Sequence, residues 1–427
     1  MSSLTEIPAK QTQPRRFYGW YLVGVAWLLY GLGACPGYYS WPFFTPEIQS
    51  DIGLSRTQTG TVFGIFGFVI SAVGPISGAS IARWGIRNTM IGGQLLSALR
   101  FWLTSQSNGF TSCLVSFAIL VGAGTGIGIM VPCQTLATEW FTRYRGRAIA
   151  VILTAGGAVG SAVTWFDRYI IENFSYRDGW QSFVLLEFIL IGITLLFIKN
   201  SPADIGQFPD GASGPFLDDG EIKNSYDEET TSTWTSTTTI RTPQFYILLL
   251  CNVANVIPWS VSIGHGRLHL EDSGLTTVTA TGILSVMVFM SVAGRLFGGL
   301  GDLVKPERVL AYSLLLEGLG VLGFLFSSNP TLAYFSTTTI AIGFGASYIS
   351  LSVVAANFYG KQRFAKTIGM VYLGSSFFNA PAAGIAGQIY DSFGSYTLAF
   401  ATIASFSLVM GFIALRISPP IGTKRLT

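Results

Sequence analysis

Long apolar stretches recur along this chain so regularly that they fix what it can become. An α-helix needs about 20 predominantly apolar residues to cross the hydrocarbon core of a bilayer. On that rule twelve spans are predicted, running roughly over 17–41, 57–82, 88–106, 110–136, 147–171, 180–199, 243–264, 276–301, 307–327, 331–356, 365–389 and 395–417. Half of the 427 residues are hydrophobic and only 11% are charged, where a soluble domain averages about 25% charged. A soluble core of this size is therefore excluded, and the expected fold is an all-α membrane protein. The 50 glycines suit close approach of helices in lipid. The four cysteines, Cys35, Cys113, Cys133 and Cys251, lie in apolar segments without metal-ligand spacing and are read as reduced core residues. The apolar run after Arg16 is too long for the core of a signal peptide, so it is read as a retained first membrane helix.

The longest polar interruption, 200–242, carries Asp218-Asp219, Asp227-Glu228-Glu229 and a Ser/Thr run. It is expected to be a mostly unstructured cytoplasmic linker, dividing the spans six and six. The domains predicted are an N-terminal tail (1–16), a six-helix bundle (17–199), the linker (200–242), a second six-helix bundle (243–417) and a C-terminal tail (418–427). Lys and Arg set the orientation: 19 fall on one side of the membrane, among them Arg83, Arg87, Arg143, Arg145, Arg147, Lys361 and Arg363. Only Arg56, Arg168, Arg177 and Arg267 fall on the other side, with Arg100 and Arg295 left inside spans. Both termini are thus expected in the cytoplasm, and the plasma membrane is the expected location.

A weak internal repeat relates the halves. Asp51-Ile52-Gly53-Leu54-Ser55 before span two is similar to Glu271-Asp272-Ser273-Gly274-Leu275-Thr276 before span eight. Gly78 through Gly85 after span two is similar to Gly298 through Asp302 after span eight. Two related six-span halves are the layout of a secondary transporter that works by alternating access.

At these residues the chain resembles the major facilitator superfamily. The family's loop pattern between spans two and three, Gly-x-x-x-Asp-Arg-x-Gly-Arg-Arg, is represented by Gly78, Arg83, Gly85 and Arg87, with Ala82 where the aspartate is expected. The second copy keeps Gly298 and Asp302. The resemblance implies that Gly78, Arg83, Gly298 and Asp302 gate the cytoplasmic side. It implies twelve helices in two pseudo-symmetric six-helix bundles, with spans one, four, seven and ten lining a central cavity. Gly74-Pro75-Ile76-Ser77, Trp140-Phe141-Thr142-Arg143 and Tyr390-Asp391-Ser392-Phe393-Gly394 resemble the monocarboxylate transporter branch. Tyr39-Ser40-Trp41 and Asn357-Phe358-Tyr359-Gly360 are similar to the oxalate:formate antiporter branch. Tyr38 stands where the first branch has a span-one lysine, Ser291 where it pairs an aspartate with its span-eight arginine, and Ser375 near the second branch's span-eleven lysine. Only the span-eight arginine carries over, onto Arg295.

An arginine inside a membrane helix costs about 3 kcal/mol on insertion scales, so it is usually retained for function or paired. Arg295 has Ser291 rather than a carboxylate one turn before it. It lies seven residues before Asp302, about 10 Å inside the helix end at 1.5 Å per residue. A guanidinium there can hold a carboxylate in two hydrogen bonds. It can equally snorkel to the surface or brace Asp302. A single fixed cation favours a monocarboxylate such as lactate, pyruvate or formate over a dicarboxylate. Tyr38, Tyr39, Trp41, Asn255, Tyr348 and Tyr372 are further candidate substrate-binding residues, with interfacial anchoring or helix packing as the alternative for each. Arg100 in span three and Glu187 in span six are expected to form a structural ion pair.

No His/Asp/Glu cluster or nucleophile dyad points to an enzyme. His265 and His269 are too few for a metal site, and no cofactor is expected. The glycine run Gly122–Gly128 lacks the context of a nucleotide loop. The expected partners are a small carboxylate, with a proton or counter-anion as co-substrate, and the lipid bilayer; no nucleic acid is expected, and the chain is expected to be a monomer. A carrier of a drug or neutral solute with a structural Arg295, or a non-transporting membrane sensor, are the competing readings.

Overall fold

The computed structural model describes residues 17–212, 236–298 and 305–420. Asp302, the acidic stretch of the linker and both tails up to 16 and from 421 lie outside the described residues. The described chain is helical with no strands. Among the described residues twelve long helices follow one another: α1 (Gly19–Ile52), α2 (Arg56–Ala72), α3 (Gly74–Ser105), α4 (Phe110–Trp140), α5 (Arg145–Asn173), α6 (Tyr176–Phe197), α7 (Pro243–Asp272), α8 (Thr277–Gly298), α9 (Pro306–Phe324), α10 (Pro330–Tyr359), α11 (Lys361–Phe393) and α12 (Thr397–Ala414).

Local chemistry sets the helix ends. Ser55 and Ser175 open α2 and α6 with reciprocal capping boxes to Gln58 and Asp178. Thr242 and Asn329 cap α7 and α10 through their side chains. Gly53 and Gly394 close α1 and α11 in the left-handed conformation that a side chain disfavours. The second predicted span is built from α2 and the first part of α3, which meet at a 43° bend. Gly85, at φ 81°, then turns the chain back, and 86–105 forms the third span.

By length and composition alone, eight helices would cross a membrane, or nine with α2 and α3 taken together. Helix α9 falls short because Glu307, Arg308 and Glu317 crowd its 19 residues. In α11 the small and polar residues Gly374, Ser375, Ser376 and Asn379 dilute the apolar character. Large apolar side chains are nonetheless exposed around the outside, among them Leu185, Leu196, Phe335 and Phe412. Such a surface is tolerated where lipid replaces water, and the chain is an integral membrane protein.

The helices form two halves, α1–α6 and α7–α12, that meet along two seams: α2 against α11 and α5 against α8. Glycine makes the first seam possible, since a Cβ on Gly60, Gly64 or Gly387 would overlap backbone atoms of the facing helix. In α5, a Cβ on Gly157 would meet the Val292 side chain and the Val288 carbonyl of α8, and one on Gly160 would strike the Tyr39 ring and the Val288 side chain.

The seams are tight at the end remote from the chain termini. There Arg56 pairs with Asp272, Arg267 with Glu47 at 2.7 Å, and Thr57 donates its hydroxyl to Asp391 at 2.6 Å, each link joining one half to the other. Among the described residues, every ion pair between the halves lies at this end. Phe68 and Phe377 still meet edge to face, with centroids 5.1 Å apart. Toward the termini, a Cβ on Gly74, Gly78 or Gly369 would find nothing within 4 Å. The halves are closed at one end and splayed at the other.

The start of the linker is ordered, unlike the loose segment expected from its composition. Residues 202–205 and 209–211 form 3₁₀ turns. Asp210 accepts the backbone N–H groups of Thr142 at 3.0 Å and Arg143 at 2.7 Å, binding the linker to the loop before α5.

Candidate functional site

Between the halves lies a cavity of about 170 Å³. Helix α1 contributes Tyr30, Ala34, Cys35, Tyr38 and Tyr39, α4 Thr125 and Met130, α7 Trp259, and α10 Phe344 and Tyr348; Ile70, Leu153, Gly156 and Arg295 complete it from α2, α5 and α8. The four helices expected to line the centre therefore do so.

Among the described residues, Arg295 is the one charged side chain in this lining. Its backbone is clamped: a Cβ on Gly294 would strike the carbonyls of Ala341 and Ile342, and one on Gly345 would strike the Arg295 nitrogen. Helices α8 and α10 can approach this closely only because those positions are glycine. The guanidinium then reaches across the seam, where Nη1 donates to the Leu153 carbonyl at 3.2 Å. Nε is buried and has no partner among the described residues, and no carboxylate among them pairs with Arg295. Ser291, one turn earlier, spends its hydroxyl on the Val288 carbonyl at 2.7 Å. The guanidinium is half-buried, with donors to spare for an anion.

Three of the predicted aromatic residues share the cavity with Arg295, namely Tyr38, Tyr39 and Tyr348. The others do not. Trp41 is fully buried inside the first half, stacked on Phe117 at 4.4 Å and donating its indole N–H to the Thr59 carbonyl. A π-helical turn at Pro36–Ser40 lies between the cavity tyrosines and Trp41, and its extra residue per turn shifts the face that follows. Tyr372 lies behind the cavity wall, parallel to Tyr348 at 5.7 Å and bonded to Ser352 at 3.1 Å. Asn255 turns away from the cavity. In the amide orientation that satisfies its neighbours it donates to Ser347 at 2.7 Å and to Glu317 at 3.2 Å.

The sequence profile of the Major Facilitator Superfamily matches residues 26–300 and 269–426, essentially the whole of this two-half architecture. The chain belongs to the Major Facilitator Superfamily. Human monocarboxylate transporter 2 is 24% identical over 421 residues, which cover 93% of this superfamily member and 84% of the relative. The uncharacterized MFS-type transporter YhjX of Escherichia coli is 22% identical over 359 residues, 83% of each chain. The riboflavin transporter MCH5 of Saccharomyces cerevisiae is 29% identical over 195 residues, 43% of this chain and 37% of the relative. Among solved structures, the nucleoside transporter NupG superposes with a TM-score of 0.68 at 13% identity, covering 92% of this chain and 99% of that one. A bacterial homolog of the human lysosomal transporter Spinster, inward-facing and unoccupied, gives 0.64 at 15% identity, covering 94% and 95%. Relatives of several cargoes thus share the fold of this superfamily member, and its own substrate is a matter for its cavity.

Of the residues expected to gate the termini end of this superfamily member, Gly78, Arg83 and Gly298 make no contact across the halves among the described residues. Gly78 faces open space, and Arg83 is exposed with its guanidinium over Trp84 at 5.7 Å. Gly298 packs within its own half against Ala346 and Ile349, and Asp302 lies outside the described residues. Arg100 and Glu187 come together inside the first half at 3.7 Å, both fully buried. The Arg100 guanidinium also donates to the Val121 carbonyl.

Tyr30, Trp259 and Phe344 are lining residues that sequence reasoning missed. Phe344 stands one helical turn before Tyr348, a spacing that could have revealed it. Trp259 follows Pro258 in a span already expected to face the cavity. Asp167 of α5 is fully buried and accepts the Ser40 hydroxyl at 3.0 Å.

Proposed function

We propose that the chain carries small organic anions, monocarboxylates foremost, across the membrane by alternating access, with the Arg295 guanidinium holding the carboxylate. The observation that carries this reading is Arg295 itself: a lone cation on the cavity lining, with a buried Nε left without a partner among the described residues. One cation matches one carboxylate. Relatives named monocarboxylate transporters, similar over nearly the whole chain, support the same reading.

On this account residues 17–199 and 243–417 are the two bundles that rock about the bound anion, and Tyr38, Tyr39 and Tyr348 enclose it. The carrier is a monomer in the plasma membrane with both termini cytoplasmic, an orientation supported by the 19 Lys and Arg on the termini side. The splayed end then faces the cytoplasm. Gly78, Arg83, Gly298 and Asp302 close that end when the halves rock over, and a proton or a counter-anion is the co-substrate. The work is transport rather than catalysis.

The Leu153 carbonyl bond of Arg295 favours a second reading, a neutral-solute carrier in which the arginine braces the seam. Uptake of labelled pyruvate into proteoliposomes preloaded with monocarboxylates, dicarboxylates or the matching primary amides separates the two. Acceleration by monocarboxylates alone is expected. Equal acceleration by the amides would favour the neutral-solute carrier.

A further inference from the structure

We propose that the organic part of the substrate is a flat aromatic ring, so that the preferred cargo is a small aryl monocarboxylate: one ring joined to a carboxylate directly or through a short chain. The inference rests on the reading of Arg295 as the carboxylate anchor and adds what the rest of the cavity selects.

The wall contributed by the second half is a run of aromatic rings. Trp259 of α7 and Phe344 of α10 stack with centroids 4.2 Å apart and planes 9° from parallel. Phe344 passes the run on to Tyr348 at 6.2 Å, and Tyr348 is backed by Tyr372, again 9° from parallel. Trp259, Phe344 and Tyr348 all reach the cavity, and Tyr372 stiffens the wall from behind. Along α10 the wall extends about 6 Å, four residues at 1.5 Å each, which suits a single ring. Tyr38 and Tyr39 of α1 face the same space from the other half, their rings edge to face at 5.2 Å.

Size and polarity narrow the cargo further. A cavity of about 170 Å³ falls below the roughly 300–1,000 Å³ of sites for drug-sized molecules, so a fused multi-ring cargo is too large. A two- or three-carbon acid anchored at Arg295 would leave the cavity-facing parts of Trp259 and Phe344 without an apolar partner. A single ring covers that surface and gains the offset or edge-to-face geometry that aromatic pairs prefer. Its carboxylate is then the one charge that must be matched, and Arg295 is the one charge on the lining among the described residues.

Thermal unfolding of the purified full-length protein in detergent tests this directly. The titrants are the sodium salts of phenylacetate, cyclohexylacetate, acetate and pyruvate, with neutral 2-phenylethanol beside them. A ligand that binds only the folded state raises the midpoint with its concentration. Half-maximal stabilisation is expected at a phenylacetate concentration at least about tenfold below that for acetate or pyruvate, with cyclohexylacetate between. The Phe344→Leu variant should weaken phenylacetate about five- to tenfold and leave pyruvate unchanged. The milder Trp259→Phe variant, which keeps a ring in place, should retain most of the preference. Pyruvate or acetate stabilising as well as phenylacetate would overturn the aryl preference and leave the Arg295 reading standing. Phenylethanol matching phenylacetate, or no carboxylate stabilising at all, would remove the anchor reading and this inference with it.

Discussion

Arg56 at the start of α2 forms an ion pair with Asp272 at the end of α7, tying the two halves together at the end remote from the chain termini. The guanidinium also lies over the Tyr390 ring at 3.7 Å and donates to the Tyr396 hydroxyl at 3.1 Å. Beside it, Arg267 is 4% exposed and holds Glu47, Glu271 and the Phe43 carbonyl at once. Of these, the bonds of Arg56 to Asp272 and of Arg267 to Glu47 and the Phe43 carbonyl cross between the halves and hold this end closed.

Removing the first latch should therefore open that end. The Arg56 and Asp272 side chains are 16% and 33% exposed, and such partly solvated pairs contribute about 0.2–1 kcal/mol. Asp272→Asn is expected to raise the labelling rate of a Thr61→Cys probe by a membrane-impermeant thiol reagent about two- to fivefold. The charge swap Arg56→Asp with Asp272→Arg should restore slow labelling. Unchanged labelling in the single variant would show that the pair does not hold the seam.

Steric bulk at the same seam should act more strongly. A Cβ on Gly64 would run into the Ala380 carbonyl, and the backbone of α11 cannot yield as a side-chain tip can. Gly64→Val is expected to disfavour the closed arrangement by about 1–3 kcal/mol, the usual cost of overpacking. The Thr61→Cys probe should then label about tenfold faster while the protein remains folded. Closure unaffected by the valine would mean that α2 and α11 do not need this contact.

The Arg100–Glu187 pair sits within one half, away from the cavity, and makes a different prediction. Both groups are fully buried, and breaking a buried pair by removing one partner costs about 3–5 kcal/mol because the other charge is left uncompensated. Arg100→Leu or Glu187→Leu alone should lower the unfolding midpoint sharply. The double variant should regain most of the loss, and the transport rate per folded molecule should stay near that of the parent. A double variant as unstable as either single one would rule out the pairing as the source of the cost.

The spans were legible because a bilayer demands one property of nearly every residue in a helix, and hydropathy reports that property. Helix α9 was found in spite of Glu307, Arg308 and Glu317, and α11 in spite of its serines and Asn379, because their neighbours fix the count. Arg295, Tyr38, Tyr39 and Tyr348 were legible as cavity residues because each is conspicuous in a span expected to face the centre or the seam. Trp41 was not, since the face it presents depends on the π-turn at Pro36–Ser40, which leaves no mark in the hydrophobic period. Asn255 could not be assigned either, because its partner Glu317 lies 62 residues away on α9. The closed end escaped notice for a related reason. Arg56 and Arg267 were informative in the sequence only as charges on one side, and their partners Asp272 and Glu47 come from the opposite half of the chain.

The central claim concerns Arg295, and the measurement closest to it is exchange of labelled pyruvate by proteoliposomes containing the protein or its Arg295→Gln variant. Glutamine keeps a hydrogen-bond donor and removes the charge. Charge-assisted hydrogen bonds contribute about 1.5–3 kcal/mol, so the variant is predicted to exchange about ten- to a hundredfold more slowly at subsaturating pyruvate, with its unfolding midpoint little changed. Exchange within about twofold of the parent, less than 0.5 kcal/mol, would contradict the account and leave Arg295 as a brace between α5 and α8.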